Sequence, residues 1–550
     1  MKVASPFPPV AISDRKMQSI LCEAIDSHTK HDPGAIAFIC AEEPESFITF
    51  KQLGQQSHSI ASYLNSIGFG HLDVAAVFLP NRIEYGVLMI GIWRCGGIFT
   101  GVSFASTHFE LKRQLLDSGA SVLITDETNL HTAMKAIGEC KSLKQVICIR
   151  ETDKPLHIGI VDYNNVISHR GNIKDDYNFS PHDTALLPYS SGTTGVPKGV
   201  MLTHQNFGTM MEFFRQYTTA RFLPAMDNAK SWRGQYDYLF LPFYHLYGFG
   251  MLYQAILKGT TSIVPKKFNP QNMMMSIQRY KIKCLLLVPP VVLYLTKSSE
   301  TNKYDLSSIR ILLTSAAPIG KDLSEEFLVK FPKARIANAY GMTEAGMGVT
   351  AALIEDGKRN ECEFVGHIYS IFEFKAVDLS TGVEVPPRTR GELCIRGPTV
   401  MKGYLNRPDA TKETIDEEGW LHTGDIAMIE PDGMVKIVDR KKELIKVKGL
   451  QVAPAELEDL LQSHSEIADA AVVGVKEEKA GEKPMAFVVK KTDKLTERDV
   501  QKYVEERLSP YKWLTGGVKF VEQIPKSPSG KILRRLLRDQ VNLPQTSSKI

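Results

Sequence analysis

The chain has 550 residues, of which 43% are hydrophobic and 23% charged, and its formal net charge is +4. A chain of this length exceeds what one hydrophobic core usually supports, so we expect two or more domains. The composition is that of a folded globular protein and not of a disordered one. The small net charge argues against a protein that binds nucleic acid or membrane surfaces along its whole length.

The cysteines and the apolar runs bear on the cellular compartment of the protein and on whether it enters a membrane. The eight cysteines are scattered and form no C-x-x-C pair, so we expect reduced thiols. Residues 1–13 contain prolines and lack the apolar core of a secretory signal. The most apolar runs, 87–99 and 284–295, are interrupted by Arg94 and by Pro289 and Pro290, and both are shorter than the roughly 20 residues of a membrane helix. We expect an intracellular protein without stable membrane insertion.

From about residue 20 to about residue 375, short apolar runs alternate with longer mixed segments. This alternation predicts an α/β fold. Strands are predicted at 185–187, 238–241, 285–288 and 311–313, and several are followed by Gly or Pro turns. Loops that follow strands commonly carry functional residues.

From about Gly382 the pattern changes to short strands, with a hairpin predicted around Asp432 and Gly433. A basic run then follows, and we predict a domain boundary near Lys442. Beyond it the pattern is α+β, with a helix from about Pro454, strands at 470–475 and 486–489, and a helix that Thr496 opens. The predicted domains are 1–439 and a C-terminal lid of 440–550.

The strongest chemical signal is the segment 189–200, Y-S-S-G-T-T-G-V-P-K-G-V. Glycines permit close backbone approach, while amide and hydroxyl groups donate hydrogen bonds to phosphate oxygens and a lysine adds positive charge. The spacing is not that of a Walker A motif. The predicted phosphate-binding residues are Ser190, Ser191, Gly192, Thr193, Thr194, Gly195 and Lys198.

This segment resembles the signature loop of the adenylate-forming superfamily, which contains acyl-CoA synthetases, coumarate:CoA ligases and beetle luciferases. The segment 338–346, N-A-Y-G-M-T-E-A-G, resembles the family's second motif. The resemblance implies that Thr343 contacts the adenylate phosphate and that Glu344 holds Mg²⁺. It also implies an adenine site formed by Ser315, Ala316, Ala317, Ala339, Tyr340 and Gly341.

Four further segments resemble family motifs. Asp425, in W-L-H-T-G-D, is implied to bind the ribose hydroxyls, and Arg440 is implied to lie near the ribose or phosphate, with the hinge at Lys442. Lys531, in P-K-S-P-S-G-K, is the implied adenylation lysine. His245, in L-P-F-Y-H-L-Y-G, is implied to gate the acyl site; a buried structural histidine is the alternative.

The resemblance implies two half-reactions that use ATP, Mg²⁺ and coenzyme A. A carboxylate attacks the α-phosphate, and a thiol then displaces AMP from the acyl-adenylate. The small domain rotates between the steps, so that Lys531 serves the first and Lys446, Gly449 and Gln451 serve the second. The implied fold is a large domain of α/β subdomains with a small β-barrel-like region, followed by a smaller, mobile α+β domain.

The acid is expected to be a medium- or long-chain fatty acid or an aromatic, phenylpropanoid-like acid. Ala339, Ser315 and the pair Met347-Gly348 depart from the coumarate-ligase pattern, so the shape of the acid does not carry over. The alternatives are a luciferase-like oxygenase, a carrier-loading enzyme and a non-catalytic adenylate sensor. Lys446 and Gln451 favour the ligase, and Glu344 and Lys531 argue against the sensor.

The last three residues, Ser548, Lys549 and Ile550, resemble the S-K-L peroxisomal address. We therefore expect a peroxisomal protein that an import receptor recognises, with the cytoplasm as the alternative.

Overall fold

The computed structural model describes residues 5–174, 177–190, 197–227, 229–315, 319–354, 363–441, 443–447, 450–477, 481–508, 510–527 and 530–542. The predicted hinge residue Lys442 and the tail Ser548–Ile550 lie outside these ranges, so both expectations stay predictions. None of the helices in the described ranges is long and apolar enough to cross a membrane.

Helices and strands alternate along the chain, and the predicted mixed α/β architecture is confirmed. The helices are α1 (Met17–His31), α2 (Phe50–Ser66), α3 (Tyr85–Arg94), α4 (His108–Ser118), α5 (Leu130–Ala136), α6 (Tyr163–Ile167), α7 (His204–Ala225), α8 (Leu246–Lys258), α9 (Pro270–Tyr280), α10 (Pro289–Lys297), α11 (Lys321–Lys330), α12 (Pro408–Thr414), α13 (Pro454–Gln462), α14 (Glu497–Glu505) and α15 (Arg534–Asn542). The strands are β1 (Ile36–Cys40), β2 (Phe47–Thr49), β3 (Val74–Phe78), β4 (Ile98–Val102), β5 (Val122–Asp126), β6 (Gln145–Ile149), β7 (Ile160–Asp162), β8 (Thr184–Leu186), β9 (Tyr189–Ser190), β10 (Lys198–Thr203), β11 (Tyr236–Tyr238), β12 (Thr261–Val264), β13 (Cys284–Leu287), β14 (Ile311–Thr314), β15 (Arg335–Tyr340), β16 (Thr350–Ala351), β17 (His367–Ile368), β18 (Glu373–Val377), β19 (Gly391–Arg396), β20 (Gly403–Tyr404), β21 (Leu421–Ile429), β22 (Val435–Arg440), β23 (Ile445–Val447), β24 (Leu450–Val452), β25 (Ile467–Glu477), β26 (Gly481–Lys490) and β27 (Gly517–Phe520).

The largest sheet has nine strands in the order β20-β10-β8-β4-β3-β5-β6-β7, with β9 paired to β10. Strands β4, β3, β5, β6 and β7 run parallel. Every residue of β3 is buried, as expected for a parallel strand covered on both faces. At the other edge, β10 pairs with β20 and sets Val200 opposite Tyr404, which brings the end of the predicted phosphate loop next to a distant part of the chain.

Two further sheets carry the strands that lead into the site. Strands β13, β14 and β15 are parallel neighbours in a five-stranded sheet, and β11 and β12 belong to a four-stranded sheet with β1 and β2. The run predicted as a strand at 238–241 forms a strand only up to Tyr238, since β11 ends there and the chain turns through Pro242 to begin α8. The ends of β11, β14 and β15 therefore supply side chains to one region.

The predicted small β region is an open, antiparallel sheet of four strands within the described residues, in the order β18-β19-β21-β22. The predicted hairpin is formed by β21 and β22, and it sets Asp425 opposite Arg440. Because these two strands pair antiparallel, two motifs that are 15 positions apart in the numbering meet side by side.

The C-terminal part has its own sheet, in which β24, β23, β26 and β25 are neighbours and β27 pairs with β26. Its apolar core is separate from that of the rest of the chain and includes Ile445, Leu457, Val472 and Val500. Thr496 caps α14 in a capping box with Asp499, as the sequence predicts. A separate core is what the predicted lid domain requires.

Candidate active site

One cavity of about 1710 Å³ collects most of the predicted site residues from seven separate segments of the chain. The predicted residues that line it are Ser190, Lys198, His245, Ser315, Ala339, Tyr340, Gly341, Thr343, Glu344, Asp425, Arg440, Lys446 and Lys531. Of the other predicted residues, Ser191, Gly192, Thr193, Thr194, Gly195, Ala316, Ala317 and Gly449 lie outside the described residues, as does the side chain of Gln451.

Glu344 lies in a short 3-10 turn, and only 6% of it is exposed. Its carboxylate Oε1 accepts hydrogen bonds from Ser190 Oγ at 2.8 Å and from the Tyr404 hydroxyl at 2.9 Å. The Lys198 ammonium lies 4.9 Å from the centre of the Tyr404 ring. Strands β9 and β20 and the turn that carries Glu344 are thus joined through one carboxylate.

Asp425 lies on β21 and is almost fully buried. The Tyr340 hydroxyl donates a hydrogen bond to its Oδ2 at 2.5 Å, and Arg440 Nε lies 3.4 Å from its Oδ1. Burial raises the pKa of Asp425, while the positive charge of Arg440 acts in the opposite direction. The carboxylate is fixed in place by groups on β15 and β22, so it can accept hydrogen bonds from a ligand.

Lys531 enters the cavity from the C-terminal part of the chain. Burial, followed by repulsion from Arg440, lowers the pKa of Lys531 to about 8. The negative charges of Asp425, Glu443 and Glu344 act in the opposite direction. The ammonium therefore faces a site with too little negative charge, which an anionic ligand would supply.

The loop that carries Lys531 is held at both ends. The backbone N–H of Lys531 donates to Ser527 Oγ at 3.1 Å, and Lys526 forms an antiparallel bridge with Ile532. Lys526 itself is turned elsewhere, because its ammonium pairs with Asp469 at 2.6 Å. Of these two lysines, Lys531 lines the cavity and Lys526 does not.

His245 is the N-cap of α8, and its side chain accepts a hydrogen bond from the backbone N–H of Tyr247 at 3.3 Å. Burial lowers the pKa of His245 to about 4, and the charge of Lys531 acts in the same direction. The imidazole is therefore neutral at pH 7. Its place at the cavity wall fits the predicted gate, and its N-cap bond also gives it the structural role that the sequence left open.

The other end of the cavity is apolar and aromatic. The residues that line it are Phe214, Tyr247, Leu313, Met347, Gly348 and Tyr369. Tyr369 stacks on Phe213 with ring centres 4.0 Å apart. The hydroxyl of Tyr247 is buried and finds no hydrogen-bond partner in the described part of the chain. This end can hold an organic group, with a hydroxyl available for a polar substituent.

The sequence did not identify Tyr404, Phe214 or Tyr369 as site residues. Tyr404 reaches Glu344 only because β20 pairs with β10, and Phe214 lies in the middle of a mostly buried helix, α7. From sequence alone, an aromatic residue in such a helix is predicted to be part of the hydrophobic core. Each position becomes recognisable only when distant strands and helices are placed together.

Comparison with known proteins gives the following matches. The model of the AMP-binding enzyme family matches residues 25–405, and the model of the AMP-binding enzyme C-terminal domain matches residues 456–531. The chain is 39% identical over 505 residues to 4-coumarate--CoA ligase 1 of Petroselinum crispum, covering 90% of this chain and 89% of that protein. It is also 39% identical to 4-coumarate--CoA ligase 1 of Arabidopsis thaliana, over 89% of this chain and 87% of that protein.

Solved structures share the fold over nearly the whole chain. The crystal structure of ATP-bound MatB from Rhodopseudomonas palustris matches with a TM-score of 0.83 at 25% identity, covering 96% of this chain and 99% of that one. The apo structure of the same protein matches with a TM-score of 0.73. The anthranilate CoA ligase AuaEII, in complex with anthranoyl-AMP, has the same fold, with a TM-score of 0.83 at 22% identity and 98% coverage of both chains.

Proposed function

Because this chain belongs to the AMP-binding enzyme family of the adenylate-forming superfamily and is an AMP-forming acid–thiol ligase, we propose that it joins an aromatic carboxylic acid to coenzyme A through an acyl-adenylate. One observation carries the proposal. A single cavity joins a polar wall, with Glu344, Asp425 and Lys531, to an aromatic wall that includes Tyr247 and Tyr369. A nucleotide and an organic acid can therefore meet in one cavity.

In the first half-reaction, a carboxylate oxygen of the acid attacks the α-phosphorus of ATP, a new O–P bond forms and pyrophosphate leaves. The ammonium of Lys531 stabilises the negative charge that the reacting carboxylate and phosphate bring together. Asp425 accepts hydrogen bonds from the ribose hydroxyls, and the positive charge of Arg440 beside it favours the carboxylate form. Neutral His245 closes the wall between the two reactants and water.

The residues present fit a Mg²⁺ ion that arrives with the nucleotide. The described residues contain no cluster of three or more His, Cys, Asp or Glu that could hold a metal by itself. Mg²⁺ is commonly held by one carboxylate together with phosphate oxygens and waters, and Glu344 supplies a buried carboxylate on the polar wall. Bound there, the ion would neutralise charge on the departing pyrophosphate.

In the second half-reaction, the thiol of coenzyme A loses its proton to water and its sulfur attacks the acyl carbon, so that a C–S bond forms, the acyl C–O bond breaks and AMP leaves with the electrons of that bond. Lys446, on β23, lies at the cavity edge, and its backbone N–H donates to Glu482 at 2.8 Å. We propose that rotation of the lid brings the face of Lys446, Gly449 and Gln451 towards the adenylate. The presence of Lys446 and Gln451, which the family resemblance assigns to thioester formation, favours a ligase over an oxygenase.

An aromatic acid is proposed first because flat side chains line the acyl end and the similar ligases act on 4-coumarate. A medium- or long-chain fatty acid is the second candidate, since the lining is also apolar. Ser315, Ala339 and Met347, which depart from the coumarate-ligase pattern, also line the cavity.

The test is pyrophosphate release by the purified protein with MgATP and a panel of short, medium, long and aromatic acids, each with and without coenzyme A. Release with aromatic acids, and acyl-CoA formed only when the thiol is present, is the expected result. Preference for fatty acids would replace the proposed substrate class. Adenylate without thioester would contradict the ligase, and no release with any acid would contradict adenylation itself.

A further inference from the structure

Helix α13 begins without a capping side chain of its own. Ala453 occupies its N-cap position and makes no side-chain cap bond, and Pro454 at the first position has no backbone N–H. The backbone N–H of Ala455 instead donates to Asp439 Oδ2 at 3.1 Å. The cap therefore comes from a residue 16 positions earlier, on β22.

Asp439 is well placed for this role. Only 7% of it is exposed, and its other oxygen, Oδ1, accepts a hydrogen bond from the backbone N–H of Arg440 at 2.6 Å. Both carboxylate oxygens thus accept hydrogen bonds from backbone N–H groups. A negative charge at the N-terminus of a helix is also favoured by the helix dipole.

Helix α13, which Asp439 caps, is bound to other elements of the C-terminal part by ion pairs and a hydrogen bond. Arg534, on α15, pairs with Glu458 of α13 at 2.6 Å and also with Glu443. Glu458 in turn accepts a hydrogen bond from the backbone N–H of Val472 at 2.7 Å. Helix α13, strand β25 and helix α15 are therefore tied to one another, while Asp439 contacts α13 from β22, before the predicted hinge.

The predicted hinge near Lys442 lies between Asp439 and Ala455 in the sequence. A large rotation at that hinge would separate Asp439 from α13 and leave the Ala455 N–H without its acceptor. The arrangement that holds this bond is also the one that places Lys531 in the cavity. The cap bond and the position of Lys531 are thus features of the same arrangement.

We infer that Asp439 is a positioning residue that caps α13 only in this arrangement of the lid and so favours the adenylation half-reaction over thioester formation. The inference rests on the proposed function, because it concerns the balance between the two half-reactions. It requires that loss of the cap shifts the balance and does not merely weaken the helix.

The experiment compares Asp439→Ala with wild type in separate half-reaction assays. We expect the adenylation rate, divided by the rate of thioester formation from supplied acyl-adenylate, to fall roughly two- to thirtyfold, the range that follows from measured helix caps. Backbone amide exchange at Ala455 should accelerate by a similar factor. An unchanged ratio or unchanged exchange would overturn the inference.

A second variant separates positioning from helix stability. Ala453→Ser supplies α13 with a cap on its own side of the hinge, present in every arrangement of the lid. In Asp439→Ala/Ala453→Ser we expect slow exchange to return while the ratio stays low; recovery of the ratio would mean that Asp439 only stabilises the helix. Ala453→Ser alone should fold normally and lower the ratio, which tests the inference even where Asp439→Ala folds poorly.

The two proposals fail in different ways. If wild-type protein forms no adenylate with any acid, the proposed ligase function is wrong, while the exchange measurement on Asp439→Ala still tests the cap. If wild type is active and the ratio is unchanged in the variants, the cap inference alone is wrong.

Discussion

Lys531 carries a positive charge in a place where solvent stabilises it poorly. Its pKa is about 8 because burial and the neighbouring Arg440 disfavour the ammonium more strongly than Asp425, Glu443 and Glu344 favour it. A carboxylate and a phosphate placed beside it would supply the missing negative charge. The ammonium lowers the barrier to the extent that this negative charge is more concentrated beside it in the transition state than in the bound reactants.

Replacing Lys531 by alanine should slow adenylation by roughly a hundredfold or more, since it removes a preorganised charge from the reacting groups. Conversion of a supplied acyl-adenylate to acyl-CoA should continue. The matched control is Lys526→Ala, which changes the same loop but removes an ammonium that pairs with Asp469 outside the cavity. Equal loss of both half-reactions in Lys531→Ala would contradict the assigned role.

The lowered pKa of Lys531 predicts how adenylation depends on pH. The ammonium is the active form, so kcat/KM for adenylation should be level below about pH 8 and fall about tenfold per pH unit above it. In Lys531→Arg the guanidinium stays charged to pH ~12 or higher, so the falling limb should disappear even if the rate is lower. A limb that persists in the arginine variant belongs to another group.

The site residues that could be predicted from the sequence are those that belong to a short, continuous sequence motif. Lys198, Thr343, Glu344, Asp425 and Lys531 were all predicted from the sequence, and all of them line the cavity. Tyr404 was missed because nothing near it in sequence distinguishes it from a buried strand residue. Its contact with Glu344 depends on the pairing of β20 with β10, which is not encoded in any local pattern.

At the scale of elements, the turn after β15 is packed too closely for any side chain at Gly341. A Cβ atom built there would lie 1.9 Å from the backbone carbonyl oxygen of Met347. Met347 follows a glycine in the left-handed region and itself has a φ of 130°, which is strained for a residue with a side chain. The turn that presents Thr343 and Glu344 therefore depends on a glycine at 341.

Gly341→Ala should destabilise the protein by about 1–3 kcal/mol and lower adenylation, because the backbone around Met347 must shift to relieve the contact. Urea denaturation with activity assays measures both effects. Gly138→Ala is the control, since a Cβ there meets no atom within 4 Å and Gly138 lies in a 3-10 helix. An equally stable and active Gly341→Ala would show that the turn is less tightly packed.

The helices and strands were predicted to within a few residues where both faces of a strand are buried or where the sequence contains typical turn or capping residues. The hairpin of β21 and β22 and the capping box of α14 formed as predicted. The strand at 238–241 was placed too late, because its apolar residues continue into a buried turn after β11 ends. Apolar runs report burial more directly than they report strand ends.

At the scale of the whole molecule, the arrangement of the lid decides which lysine faces the reactants. Lys531 lines the cavity from a loop near the end of the chain, and Lys446 lines its edge from β23. The sequence motifs predicted both lysines and a hinge between the domains. Motifs alone do not show which of the two lid arrangements is more stable. That balance depends on contacts across the hinge, such as the bond from Ala455 to Asp439.

Lys446→Ala should leave pyrophosphate release nearly unchanged and slow thioester formation roughly tenfold or more, the effect expected when a charged hydrogen-bonding group is lost. The reason is geometric: Lys446 is exposed at the cavity edge in this arrangement, and we expect it to approach the adenylate or the incoming thiol closely once the lid has turned. Single-turnover assays that follow AMP and acyl-CoA separately measure the two steps.

Lys491→Ala is the control, since Lys491 belongs to the same part of the chain and binds the Ser465 carbonyl away from the cavity. If Lys446→Ala slowed pyrophosphate release as much as thioester formation, Lys446 would serve the arrangement seen here and the proposed rotation would have to exchange other residues.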